Sequence, residues 1–422
     1  MDERELIYDW NVQGDRRTPV RRDIELDDET LRDGLQSPSV RCPSVGDKIR
    51  MLHFMDELGI QAANIGLPGA GAQVKQDTIE LAREIREAGL RLSPNCAART
   101  LQVDIDPIVE ASEVAGLAIE AAVFIGSSPI RQYAEDWTVE RMLQHSVEAV
   151  RYAAGQGLPV MYVTEDTTRA RPDTLRRLYT AAIDAGAGRI CLADTVGHAT
   201  PEGVWNLLSF IKSVVEDTGQ AVKIDWHGHN DRGLGLINSL TAAYAGADRI
   251  HGTAIGIGER VGNTAIDQLL VNFRLLGWIE NDLRRLEDYC SFVSEVTGAP
   301  VPANYPVLGR DAFRTATGVH AAAVIKAMHK GDNWLANRVY SGVPAEYFGR
   351  RQSIEIGPMS GQSNVVFWLE ERRIGAEPDL VELIFQECKH SQSLLSEDDV
   401  LAMVQRWQGQ EATVARGSVP GS

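Results

Sequence analysis

His227-Gly228-His229 places two imidazoles two residues apart. On an extended strand, residues i and i+2 face the same side, so both rings can turn to one ion. Asp33, within ETLRDG at 29–34, offers a hard oxygen for the same ion. Two imidazoles and a carboxylate with open coordination positions suit Mg²⁺, Mn²⁺, Zn²⁺ or Co²⁺. Taken singly, these residues read as a helix-capping aspartate and surface histidines. Arg32 directly precedes Asp33. Beside a metal its guanidinium could bind a carbonyl oxygen and stabilise the charge that grows there as a carbanion attacks; alone it would be a surface ion-pair partner. GIGERVGN at 256–263 has the glycine spacing of a phosphate-cradling loop, a spacing common on its own. Asn263, at its end, could reach the metal or the loop.

Such residues act together only if one scaffold gathers them. Short apolar or β-branched runs recur at 23–28, 61–66, 91–96, 118–125, 158–163, 188–193, 222–227 and 248–253. Helical stretches separate them near 45–58, 73–88, 103–114, 138–155, 171–185, 201–217, 233–245 and 263–277. Pro201 opens one of these helices and Gly186 follows the end of another. Eight β-then-α units predict an α/β fold closed as a (β/α)8 TIM barrel. A doubly wound open sheet competes, but the count of eight favours closure. In a barrel the segments after the strands (ETLRDG, GLPG, NCAAR, GSSP, TED, ADT, HGHND and GIGER) gather on one face, where such barrels place their sites. The expected organisation is an N-terminal extension over 1–22, a catalytic barrel over 23–280 and a mainly helical, lid-bearing linker region over 281–415.

The rest of the composition removes other classes. A net charge of −17 with no dense basic cluster argues against nucleic acid and anionic membranes as partners. No run approaches the length of a transmembrane helix, and the charged MDERELIYDWNVQGDRR does not resemble a signal peptide, so a cytoplasmic protein is expected. Five scattered cysteines without CxxC spacing read as thiols of a reducing compartment.

Together, DETLRDG at 28–34, FIGSSPI at 124–130, HGHNDRGLG at 227–235 and GIGERVGN at 256–263 resemble the DRE-TIM metallolyase superfamily. The similarity is greatest to its Claisen-condensing branch, the 2-isopropylmalate, homocitrate and citramalate synthases. TED at 164–166, ADTVGHATP at 193–201 and TGVHAAA at 317–323 extend it over roughly residues 24–360. The lyase branch carries a cysteine in its glycine loop, which GIGERVGN lacks. The resemblance implies a divalent metal held by Asp33, His227 and His229, with Asn263 as a possible fourth ligand. It implies Arg32 as the carbonyl-polarising group, Gln36 near the metal-bound substrate, Glu165 as an active-site carboxylate and Thr195 as the hydroxyl holding the 2-oxo acid's carboxylate. His320 and Tyr340 correspond to lid residues, of which the histidine commonly reaches a neighbouring subunit, implying a homodimer with lid exchange. By composition alone, His320 reads as a helix-surface residue. The implied reaction condenses acetyl-CoA with a 2-oxo acid, His320 assisted by Glu165 taking the thioester α-proton, and water then cleaving the thioester.

Departures from the family bear on substrate. Met161 and Val163 stand where homocitrate synthases tend to hold an Arg and a Ser for a second carboxylate, and Ala122 where leucine-pathway synthases usually hold a His. Ala97 and Ala98 lie nearby, and Asn64 sits near a position where relatives usually show Glu. These changes imply a roomy apolar pocket for a branched, longer or aromatic 2-oxo acid, unless large residues elsewhere fill the space. No feedback-regulatory C-terminal domain is expected. A homocitrate or citramalate synthase, a metal-dependent aldolase or lyase, and an inactive metal-binding regulator are the competing readings.

Overall fold

A computed structural model of the chain describes residues 6–12, 21 and 23–417. It comprises two compact units, the first ending at Pro300 and the second beginning at Val301. In the first, eight parallel strands close into a barrel in chain order: β1 Glu25–Asp28, β2 Ala62–Gly66, β3 Ser93–Arg99, β4 Glu120–Gly126, β5 Val160–Glu165, β6 Arg189–Asp194, β7 Lys223–Gly228 and β8 Arg249–Gly252, with β8 pairing back onto β1. The helices after them are α1 Val45–Glu57, α2 Ala72–Glu87, α3 Gln102–Ala115, α4 Val139–Gly155, α5 Pro172–Ala185, α6 Pro201–Thr218, α7 Gly235–Ala245 and α8 Ile266–Leu275. Their starts follow local chemistry. The Thr138 hydroxyl accepts from the Arg141 amide at the start of α4, and Thr200 caps α6 with Pro201 as its first residue. Gly186 ends α5 in the left-handed region at φ 118°.

The barrel's interior is not wholly apolar. Apolar side chains fill the layer between strands and helices, but the inward side chains of β1, β4, β6, β7 and β8 make an ionic layer. Arg249 Nε meets Asp225 Oδ2 at 2.7 Å and its Nη2 meets Glu120 Oε2 at 2.6 Å. Arg189 binds the other Asp225 oxygen at 2.6 Å and Glu25 at 2.8 Å. Burial alone would raise the Asp225 carboxyl, but Arg249, His251 and Arg189 outweigh it and hold it ionised. Buried ions persist only when paired in this way.

The first unit also runs past residue 280, where the sequence placed the end of the barrel. Helix α9, Leu286–Thr297, covers the outer side of β1 and α1. The Phe292 and Tyr289 rings each lie 5.9 Å from Phe54, and the Tyr289 hydroxyl donates to Asp28 at 2.7 Å. The second unit is mainly helical, as expected. It contains α10 Gly318–His329, α11 Gln362–Glu371, α12 Pro378–His390, α13 Glu397–Gly417 and a parallel pair of two-residue strands, Arg314–Thr315 and Ser353–Ile354. Val365, Leu369, Leu380, Ile384 and Val400 form its core. Of the N-terminal extension, the described residues include a single 3-10 turn, Trp10–Val12; the remainder of 1–22 lies largely outside them. Among the described residues no helix is long and apolar enough to cross a membrane, and the five cysteines are free thiols.

Candidate active site

The strand ends bring the expected metal ligands together. Asp33 follows β1 in a turn entering the 3-10 segment Gly34–Gln36, His227 lies in β7, and His229 follows it and bridges to Asn263 in the loop after β8. Ligand atoms of Asp33, His227 and His229 lie within 4.8 Å of one another, and all three residues are largely withdrawn from solvent. Both histidine Nε2 atoms face Asp33 Oδ2, at 3.7 Å for His227 and 3.8 Å for His229. Burial, then His227, pushes the His229 ring down to about 4, leaving it neutral with a lone pair at physiological pH. Burial would raise Asp33, but Arg32, His227 and His229 hold it below its ordinary value. Asp33 Oδ1 and Asn263 Oδ1 are buried without a hydrogen-bond partner among the described residues. Unpartnered buried acceptors are costly, and a cation at the Asp33–His227–His229 cluster would satisfy Asp33 Oδ1, so the donor set fits a divalent metal.

The glycines of GIGERVGN shape this corner. A Cβ on Gly258 would stand 2.5 Å from Asn263 Nδ2 and 3.2 Å from Asp33 Oδ1. Gly262, at φ +91°, packs so closely on Gly256 that a side chain there would strike its carbonyl. The glycine spacing therefore lets the loop fold over Asp33 and Asn263.

Arg32 donates to Asp33 Oδ2 at 2.8 Å and to Glu29 Oε1 at 2.6 Å. Glu29 was not singled out in the sequence, although it lies in the ETLRDG segment. Nor was His251, on β8. Burial would lower the His251 ring, but Glu29, Asp225 and Asp27 outweigh it and lift it to about 10, so it is an imidazolium. Glu29, His227 and His251 also have metal-ligand spacing, yet a protonated His251 makes this group an ion pair instead. Inward parity could have found both residues: Glu25 and Asp27 alternate along β1 and Glu29 continues their parity just past its end, as Arg249 and His251 alternate along β8.

Above the ionic layer opens a cavity of about 240 Å³. Arg32, Asp33, His227 and His229 line one part of it, and Ala97, Ala122, Met161 and Val163 another, with Gln36, Glu165 and Thr195 also on its surface. The Thr195 hydroxyl oxygen accepts from the Asp166 amide at 2.8 Å, which leaves its own proton to donate. Burial raises the Glu165 carboxyl against the pull of Arg131, whose Nη2 is 3.6 Å away. Ala122 and Met161 pack with Cys191, and Arg249 approaches the Met161 sulfur at 3.4 Å. Ala98, by strand alternation, faces away and does not line the cavity. Leu67, Phe124, Cys191 and Ala193 do line it and were missed. In the second unit, His320 is exposed in the first turn of α10, and its ring lies 4.4 Å from that of Tyr340 at an interplanar angle of 33°.

A closed (β/α)8 barrel with this cluster on the C-terminal side of its strands defines a TIM-barrel enzyme. The chain belongs to the HMGL-like family, whose profile matches residues 23–293. It is 32% identical over 370 residues to a probable 2-isopropylmalate synthase of Methanopyrus kandleri, covering 87% of this chain and 69% of that protein. Homocitrate synthase AksA of the same organism is 32% identical, with coverage of 87% and 89%. 2-Isopropylmalate synthase of Sulfolobus acidocaldarius is likewise 32% identical, with coverage of 87% and 90%. Among solved structures, the HMG-CoA lyase of Bacillus subtilis superposes with a TM-score of 0.56 at 21% identity, covering 68% of this chain and 97% of that one, a likeness of fold.

Proposed function

We propose that this enzyme condenses an acyl-CoA, acetyl-CoA foremost, with a bulky apolar or aromatic 2-oxo acid to give a 2-alkylmalate-type product and free CoA. The observation that carries this reading is one cavity with Arg32 and an Asp–His–His cluster on one part and Ala122, Met161 and Val163 on another. A divalent cation (Mg²⁺, Mn²⁺, Zn²⁺ or Co²⁺) held by Asp33, His227 and His229, with Asn263 as a further ligand, would supply Lewis-acid polarisation to substrate oxygens. Arg32 donates to the keto oxygen and takes up charge as the C–C bond forms. Thr195 donates its free hydroxyl proton to the substrate carboxylate, and Gln36 borders the same space. The His320 ring, assisted by Glu165, removes the thioester α-proton, and water then releases CoA as the thiol. His320 and Tyr340 serve this chemistry from a neighbouring copy in a homodimer.

The relatives' names divide between 2-isopropylmalate and homocitrate synthases. The apolar lining favours the former type. Among the described residues Arg32 is the cavity's one Lys or Arg side chain, and Glu29 and Asp33 already engage it. A second substrate carboxylate would be buried without a partner.

Following CoA with a thiol reagent tests the reaction. Release should require acetyl-CoA and a 2-oxo acid together, stop on chelation and return with added metal. Metal-dependent cleavage of a 2-hydroxy acid with no thioester requirement would establish an aldolase or lyase instead.

A further inference from the structure

Glu29 is 2% exposed and in contact with both chemical halves of the site. Its Oε1 accepts from Arg32 Nη2 at 2.6 Å and lies 3.4 Å from His251 Nδ1. Its Oε2 lies 2.6 Å from His227 Nδ1, while the other nitrogen of that ring faces Asp33. A neutral imidazole has one proton to place. A carboxylate at Nδ1 draws the proton there and leaves the lone pair on Nε2, the nitrogen turned toward Asp33. His251, itself bound to Asp225 at 3.0 Å, ties the same carboxylate to the ionic layer below.

We infer that Glu29 is a positioning residue: its two oxygens fix the Nδ1–H tautomer of His227 and the orientation of the Arg32 guanidinium, coupling the metal-ligand and carbonyl-polarising halves of the site. This rests on reading Asp33, His227 and His229 as metal ligands. Glu29 acts through its two neighbours and not on the reacting atoms. Arg32 Nη2 hydrogen-bonds to Oε1, while His227 Nδ1 and His251 Nδ1 face the two oxygens as close charge contacts at 2.6 and 3.4 Å, outside hydrogen-bond geometry. An amide in its place offers one acceptor and one donor, so at least one of the three must face an N–H group.

The test uses Glu29→Gln in the full-length chain, stripped of metal, with Mn²⁺ alone as the probe. Wild-type protein should bind Mn²⁺ at a site abolished by His229→Ala, and Glu29→Gln should weaken that binding by about 10–100-fold. In ¹⁵N-histidine-labelled apoprotein, the His227 signal should change from a defined Nδ1–H form to a mixture of tautomers. A second variant separates positioning from fold maintenance. One atom of the Asn64 amide lies 3.4 Å from Glu29 Oε1 and 3.2 Å from Arg32 Nε. Asn64→Asp combined with Glu29→Gln therefore returns a carboxylate to Arg32 but none to His227. It should recover thermal stability while Mn²⁺ affinity stays low. It also provides the Mn²⁺ comparison if Glu29→Gln alone does not fold. Wild-type Mn²⁺ affinity and an unchanged His227 signal in either variant would overturn the inference. If wild-type protein bound no Mn²⁺ sensitive to His229→Ala, the metal reading would fall and the inference with it.

Discussion

At the scale of residues, the site divides into what adjacent letters reveal and what only pairing across strands reveals. Arg32 and Asp33 are neighbours in sequence and His227 and His229 are two apart at a strand end, so each pair followed from local geometry, and their convergence from eight β-then-α units closing into a barrel. Glu29 and His251 share inward parity with their charged neighbours, but a charged residue in or beside a strand reads first as an exposed position. What stabilises them, Arg32 and Asp225, depends on how turns and strands meet in the closed barrel. The small residues Ala97 and Ala122 were legible as space, but Phe124 and Leu67, which share the cavity lining, were not. Ala122 packs beside Met161 and Cys191 at the cavity wall. Ala122→Leu should fill the remaining space and turn the preference from phenylpyruvate to 2-oxoisovalerate. The ratio of their kcat/KM values checks this, and an unchanged ratio would place the substrate side chain elsewhere.

Among the elements, the barrel strands and helices fell within a few residues of their sequence-based ranges, because each β-then-α unit carries its own caps and hydrophobic period. Helix α9 was assigned to a linker because its amphipathic pattern does not say what it covers. The structure shows that it covers Asp28 at the back of β1. There Asp28 accepts from the Thr30 amide at 2.8 Å and the Tyr289 hydroxyl at 2.7 Å. Burial lifts this carboxyl to about 7, against the pull of both hydrogen bonds, from an ordinary value of 3.8. Since the folded state holds the proton more tightly, the stabilisation is complete below the unfolded-state pKa and is lost as pH rises towards 7. The slope approaches about 1.4 kcal/mol per pH unit. Asp28→Asn should remove that slope. In urea unfolding the variant should gain on the wild type by on the order of 2 kcal/mol between pH 5 and pH 7. Parallel pH profiles would show that Asp28 is ionised in the folded chain.

For the molecule as a whole, the barrel carries the first unit's chemistry, while His320 and Tyr340 stand together on the second unit. The proposed homodimer makes the two sets meet across subunits. Arg32→Ala and His320→Ala proteins would each be inactive alone, but a heterodimer would contain one site with both groups intact. Equal mixing with full subunit exchange should restore roughly a quarter of wild-type activity, since half the dimers are mixed and each has one complete site. If exchanged mixtures stay inactive, His320 does not act in a neighbour's site.

The central claim, a thioester condensation onto a bulky apolar 2-oxo acid, is tested most directly by kcat/KM with acetyl-CoA for pyruvate, 2-oxoisovalerate, 4-methyl-2-oxopentanoate, phenylpyruvate and 2-oxoglutarate. Each additional buried methylene contributes at most about 0.8 kcal/mol, or roughly fourfold. 4-Methyl-2-oxopentanoate, one carbon larger than 2-oxoisovalerate, should thus be favoured by up to about fourfold, and phenylpyruvate, four carbons larger, by about tenfold or more. 2-Oxoglutarate should be poor, because Met161 and Val163 offer its second carboxylate no partner and Arg32 is already engaged. A clear preference for 2-oxoglutarate or pyruvate would contradict the account.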